Sequence, residues 1–219
     1  MAGSVTAPVQ ENTVLVDHPL VRAKLTRLRD KNTPFEEFRR GISEVSALMA
    51  FEATRDFETV ARVVETPLAN YEGAALRRPV ILAPILRAGL GMVEGMCKVL
   101  PEASVGHIGL YRDETTHRPQ HYYFNLPAHL SQAEVVVLDP MLATGWSATA
   151  ALDRLKEKGA TRLRLVCLVS CPEGLEQVRK AHPEVRVFTA AIDEGLNEKA
   201  YIVPGLGDAG DRYFGTFSG

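Results

Sequence analysis

The chain has 219 residues, 46% of them hydrophobic and 24% charged, with a formal net charge of −2 and a pI near 6.3. That balance suits one globular domain with a full core and offers no global pull toward nucleic acid or an anionic membrane. No apolar run is long enough to span a bilayer, and residues 1–11 lack the basic-then-apolar layout of a secretion signal, so a soluble cytoplasmic protein is expected.

Residues 1–12, rich in small and polar side chains, read as a flexible tail ahead of a single domain at 13–219. A helix is expected from Asp17-His18-Pro19, with Pro19 near its first position and Leu20, Leu25 and Leu28 as its apolar stripe. The cations Arg22, Lys24, Arg27, Arg29 and Lys31 on this stretch are the one candidate for a basic nucleic-acid patch; such a run is more often a solvated helix face. A second helix starts at Thr33-Pro34. Glu36 and Glu37 fall in its first turn, where the helix dipole favours acids, and Phe35, Phe38, Ile42, Val45 and Met49 carry a stripe to about residue 53.

From Pro79 the texture changes. Apolar runs of strand length at 80–86, 108–111, 135–138, 163–169 and 185–190 alternate with helical stretches at 89–100, 147–158 and 173–181. Continuous apolar strands separated by helices predict an α/β fold whose mostly parallel sheet is covered on both faces. Cys97, Cys167 and Cys171 are odd in number, lie among apolar neighbours and lack zinc-ligand spacing, so they read as reduced core thiols.

Ligands of parallel α/β sheets bind beyond the carboxyl ends of the strands, so the loops there carry the chemistry. In VVVLDPMLATGWS at 135–147, a strand ends in Asp139, a short loop with Ala143, Thr144 and Gly145 follows, and a helix opens at Ser147. Loop N–H groups plus the helix's positive end suit a phosphate, and Asp139 could accept hydrogen bonds from sugar hydroxyls; a plain turn with Ser147 as cap is the simpler alternative. In ILAPILRAGLG at 81–91, Arg87 directly follows a strand, where its guanidinium could grip a pyrophosphate bidentately. The polar stretch GLYRDETTHRP at 109–119 suits a lid carrying Arg112, with His117 and Arg118 as weaker candidates. The glycine-rich YIVPGLGDAGDRYFGT at 201–216 dictates a backbone path whose exposed N–H and C=O groups suit a flat base.

Taken together, these four segments, in this order, resemble those of uracil phosphoribosyltransferases in the type I phosphoribosyltransferase family, and the likeness runs from about Val14 to Gly215. The resemblance implies a central sheet flanked by helices, an N-terminal helical region and a C-terminal base-binding segment. It implies transfer of the 5-phosphoribosyl group of 5-phosphoribosyl 1-pyrophosphate (PRPP) to uracil, giving UMP and diphosphate in pyrimidine salvage. By the same likeness Arg87, Arg112, Asp139 and Asp208 are the catalytic set. PRPP would meet Arg87, Arg112, Asp208 and the run Asp139, Pro140, Met141, Leu142, Ala143, Thr144, Gly145, Trp146 and Ser147. Uracil would meet Tyr201, Ile202, Gly207, Asp208 and Ala209, largely through backbone atoms, with Met141 and Ala143 as further walls. Mg²⁺ is expected as cofactor, held mainly through PRPP rather than by direct protein ligands. A homodimer or higher homo-oligomer is expected, with neither nucleic acid nor membrane as partner; GTP is an allosteric effector in some members, and the resemblance does not assign it to this chain. One departure stands out: the family usually has glycine where this chain has Trp146, and tryptophan does not tolerate a positive φ. The rivals are a same-fold enzyme for another base and a non-catalytic PRPP sensor that binds RNA.

Overall fold

The computed structural model describes residues 12–112 and 119–216. In chain order its elements are β1 (Thr13–Leu15), α1 (Pro19–Arg29), α2 (Phe35–Ala53), β2 (Thr59–Glu65), β3 (Asn70–Leu76), β4 (Val80–Leu86), α3 (Leu90–Val99), β5 (Ser104–Val105), β6 (His107–Arg112), β7 (Pro119–Asn125), β8 (Glu134–Leu138), β9 (Met141–Leu142), α4 (Trp146–Glu157), β10 (Leu163–Ser170), α5 (Pro172–Ala181), β11 (Arg186–Ile192), β12 (Gly195–Leu196), β13 (Ile202–Val203) and α6 (Ala209–Phe214). The tail expected at 1–12 lies outside the described residues except for Asn12.

The main sheet runs β1-β11-β10-β8-β4-β6-β7, with β5 added to β4 and β9 to β10. Every pairing in it is parallel except β6 with β7, which is antiparallel. The central strands carry continuous apolar runs, Val80–Leu86 in β4, Val135–Leu138 in β8 and Leu165–Val169 in β10, because both of their faces are covered. Val136, Leu138, Val166 and Leu168 join one core with α1, α2 and α3; Val135, Val137, Leu165 and Cys167 join the other with α4 and α5. Alternate residues of one strand therefore feed opposite cores. Cys167 and Cys171 are buried and Cys97 is half-buried, all three as free thiols.

Two helical stripes shift slightly from expectation. Val21, Leu25 and Leu28 are the buried face of α1, while Leu20 is 55% exposed. On α2, Phe38, Ile42, Val45 and Met49 are buried as expected, but Phe35 stays largely in solvent. Several elements were not foreseen, among them the edge strands β1 and β7, the hairpin β2–β3 and the helix α6. The hairpin β2–β3 projects from the body with Val63, Leu68 and Tyr71 exposed; its alternation has no buried side to reveal it. The six-residue α6 sits inside the glycine-rich segment, where glycine obscures helical periodicity.

Candidate active site

Strands β4, β8 and β10 release their loops at one edge of the sheet. Register places Pro84 opposite Leu138, and Leu138 opposite Val166, so Arg87 and Asp139 emerge from neighbouring strands. After β4 the chain turns tightly through Gly89. A Cβ there would lie 2.4 Å from the Leu138 carbonyl oxygen, so only glycine lets this loop rest on the end of β8. Arg87 is exposed, with one guanidinium nitrogen 3.2 Å from Asp211 Oδ1 and the group 5.7 Å from the Phe214 ring centre.

Asp139 stands half-buried at the end of β8 and accepts a long hydrogen bond, 3.4 Å, from the Met141 N–H. Desolvation outweighs that single bond and pushes the carboxyl up to about 6. The Pro140 carbonyl accepts from the Leu168 and Val169 N–H groups, and the Leu142 side chain is fully buried in the core beneath α4 and α5. Those two residues shape the loop from behind; their side chains do not face the cavity.

Gly145 takes φ 78° at the cap of α4, packed against α5, where a Cβ would meet the Gly174 carbonyl oxygen at 2.8 Å. Trp146 follows as the first helical residue and has no positive φ, so the left-handed turn in this loop falls one residue earlier, on a glycine. The indole is 53% exposed. Ser147 lies inside the first turn and is not the cap, which disposes of the simpler alternative for it. The first-turn N–H groups of α4 have no acceptor within the helix, and the dipole favours an anion beside them.

The C-terminal segment closes the site. A cavity of about 300 Å³ is lined by Ala88, Met141, Ala143, Tyr201, Ile202, Gly207, Asp208 and Ala209, bringing together residues from three of the four segments. Lys199, Ala200 and Gly210 line it too and were not foreseen. The Ile202 side chain is buried, so it can offer a ligand only its backbone. Asp208 is exposed and caps α6, one carboxylate oxygen accepting from the Asp211 N–H at 2.9 Å. Arg112 is the last residue of β6; its side chain, residues 113–118 and hence the expected lid with His117 and Arg118 lie outside the described residues.

Behind the cavity lies a framework that sequence did not reveal. Arg29 grips both oxygens of Asp193 at 2.7 Å and donates to the Gly205 carbonyl at 2.9 Å; Asp193 in turn accepts from the Gly205 N–H at 2.8 Å. Arg212, 9% exposed, donates to the carbonyls of Leu28, Leu206 and Asp30 at 2.5, 2.8 and 2.7 Å, and its guanidinium sits 4.1 Å from the Phe38 ring centre. Both arginines tie the end of α1 to the glycine-rich C-terminal segment across more than 160 residues of chain, a separation no local pattern can signal. The N-terminal cations are similarly committed: Arg22 to Asp17, Lys24 to Glu44, Arg27 to Glu37 and Arg29 to Asp193. Among the described residues no helix is long and apolar enough to cross a membrane.

Known proteins bear on this arrangement. A family model described as uracil phosphoribosyltransferase matches residues 14–216. A uracil phosphoribosyltransferase of Dictyoglomus turgidum is 55% identical over 204 residues, 93% of this chain and 99% of that one. Its counterpart in Halalkalibacterium halodurans is 54% identical over 91% of this chain and 96% of its own. Among solved structures, a protein of Aquifex aeolicus superposes with a TM-score of 0.88 at 36% identity, covering 93% of this chain and 98% of that one. A hypoxanthine-guanine phosphoribosyltransferase of Bacillus anthracis shares the fold alone, with a TM-score of 0.51 at 12% identity over 73% of this chain and 80% of its own.

Proposed function

This chain belongs to the uracil phosphoribosyltransferase family, and from that premise we propose how its residues divide the work. The enzyme transfers the 5-phosphoribosyl group of PRPP to uracil, giving UMP and diphosphate. The observation that carries the residue assignment is the shared cavity, which gathers Ala88 beside Arg87, Met141 and Ala143 of the β8 loop, and Ile202, Gly207 and Ala209 of the C-terminal segment.

Displacement at the ribose C1 carbon builds positive charge on the sugar while diphosphate leaves, so charge stabilisation and alignment matter more than a strong nucleophile. In this reading Arg87 and Arg112 neutralise the departing diphosphate. The first turn of α4, with Thr144 and Ser147, holds the 5-phosphate. Asp139 accepts hydrogen bonds from the ribose hydroxyls, and uracil lies against the backbone of Ile202, Gly207 and Ala209, with Tyr201 and Met141 as walls. In the same reading Asp208, which lines the cavity, takes the proton the base loses. Among the described residues no three His, Cys, Asp or Glu side chains converge as a metal site. Mg²⁺ belongs to the same reading as an ion carried mainly by PRPP oxygens and water, with Asp208 beside it, and when bound it would disperse diphosphate charge. A cytoplasmic setting and GTP as effector belong to the same reading.

The test is UMP formation from labelled uracil with PRPP and Mg²⁺, with cytosine, orotate and hypoxanthine in parallel and GTP added in a further arm. Turnover of uracil alone is expected. Equal turnover of hypoxanthine or orotate would overturn the assignment of the C-terminal segment to uracil.

Asp139 makes the reaction pH-dependent. Above about 6 its carboxylate is ionised and accepts from the ribose; below, protonation removes those bonds. The KM for PRPP is therefore expected to rise several-fold between neutral pH and pH 5 (about one unit below its pKa), and steady-state kinetics across that range checks it. The sign for stability is opposite. The folded carboxyl holds its proton more tightly than the unfolded one, so its contribution is present below 3.8 and lost as pH rises through about 6. Asp139→Asn is thus expected to weaken PRPP binding yet raise the melting temperature at neutral pH.

The hairpin β2–β3 supports a homo-oligomer. Val60, Val63, Val64, Leu68 and Tyr71 are exposed on it, with Leu68 at 96%, and a second copy of this chain is the proposed cover. Sedimentation is expected to give a dimer or larger species, and Leu68→Glu with Val63→Glu to shift it toward monomer; an unchanged assembly would exclude this hairpin as the contact.

A further inference from the structure

We propose that Asp211 is an internal stand-in for the diphosphate, occupying Arg87 until the substrate arrives and reclaiming it when the product departs. The inference rests on the assignment of Arg87 to the diphosphate. Asp211 lies on the first turn of α6, in the base-binding segment, while Arg87 opens the loop after β4; 124 residues separate them. The contact uses one guanidinium nitrogen and one carboxylate oxygen, 3.2 Å apart, rather than the two-pronged arrangement a permanent Arg–carboxylate pair adopts, as Arg29 and Asp193 do here. The same Asp211 Oδ1 also accepts from the Thr216 hydroxyl at 2.8 Å, so it keeps a partner when Arg87 leaves.

Exposure points the same way. The Arg87 side chain is 58% exposed and that of Asp211 28%, whereas the structural pair Arg29–Asp193 is 26% and 6%. An exposed single-contact pair is worth about 0–1 kcal/mol, small enough for a doubly charged phosphate chain to displace. The Phe214 ring beside the guanidinium gives Arg87 an apolar surface to slide along during the exchange. The pair also joins the diphosphate loop to α6, whose cap Asp208 lines the base cavity. Diphosphate binding therefore releases a tether on the base-binding segment.

Titration of inorganic pyrophosphate with Mg²⁺ into the full chain, by calorimetry, tests this in four proteins: the natural sequence, Asp211→Asn, Arg87→Ala and the double variant. Asp211→Asn is expected to bind pyrophosphate about three- to five-fold more tightly, the size of a broken surface pair. That gain should vanish in the Arg87→Ala background. No gain, or an equal gain with Arg87 absent, would overturn the proposal, the latter showing only relief of long-range repulsion. Arg87→Ala binding pyrophosphate as well as the natural sequence would instead overturn the assignment of Arg87 on which it rests. Circular dichroism of each variant separates these outcomes from misfolding.

Discussion

Replacing Arg87 with alanine is expected to lower kcat/KM for PRPP by about two to three orders of magnitude, the usual cost of removing a preorganised group that stabilises transition-state charge. The reasoning runs from place to effect. Arg87 is held at the carboxyl end of β4 by a turn that only glycine at 89 permits, so its position is fixed although its side chain is exposed. Its only ion pair among the described residues is the exposed one with Asp211, and no core packing depends on it. The melting temperature should therefore change by no more than a degree or two while turnover collapses. Steady-state kinetics and a thermal scan on the same preparation check both halves. Near-normal turnover would remove Arg87 from the reaction, and a large loss of stability would recast it as a structural residue.

Arg212→Ala is expected to show the reverse pattern. Its guanidinium supplies donors to three main-chain carbonyls and stacks on Phe38, with the bonds to Leu28 and Leu206 closed to solvent. Truncation leaves the Leu28 and Leu206 carbonyls without this donor, while the Asp30 carbonyl keeps the Thr33 N–H, and it opens a cavity beside the ring, a combined cost of about 3–5 kcal/mol. For a chain of this size that lowers the melting temperature by roughly 10 °C. Because Arg212 also holds the turn at Leu206 that precedes Gly207, the KM for uracil should rise more than that for PRPP. A melting temperature within a degree or two of the natural chain would sink this account.

The contrast between these two arginines also marks what the sequence could disclose. Arg87 was legible as a candidate because its surroundings are local: an apolar strand, a cation, then glycines, read within a dozen residues. The same holds for Asp139 and Gly145 after β8, and for the sheet itself, whose strands are apolar on both faces and so announce themselves. Arg212, Arg29 and Asp193 act across the chain. Each looks like an ordinary charged residue until the fold brings its partner close, and Arg29 was grouped with solvated cations for that reason. The hairpin β2–β3 was missed because neither of its faces is buried within this chain. The Trp146 departure was visible, but not which residue of the loop carries the left-handed turn; one residue of phase decides that, and only coordinates supply it.

Trp146 is the only tryptophan in the chain, it opens α4, and its indole stands half in water beside the phosphate loop. All indole emission from this protein therefore originates at one point on the rim of the site. On the proposed assignment, a phosphate settling on the first turn of that helix changes the field and the hydration around the ring, so intensity and emission colour are expected to follow occupancy without any attached dye. The residue that departs from the family pattern equips the molecule with a built-in optical gauge, one that stopped-flow mixing can read on the timescale of substrate arrival.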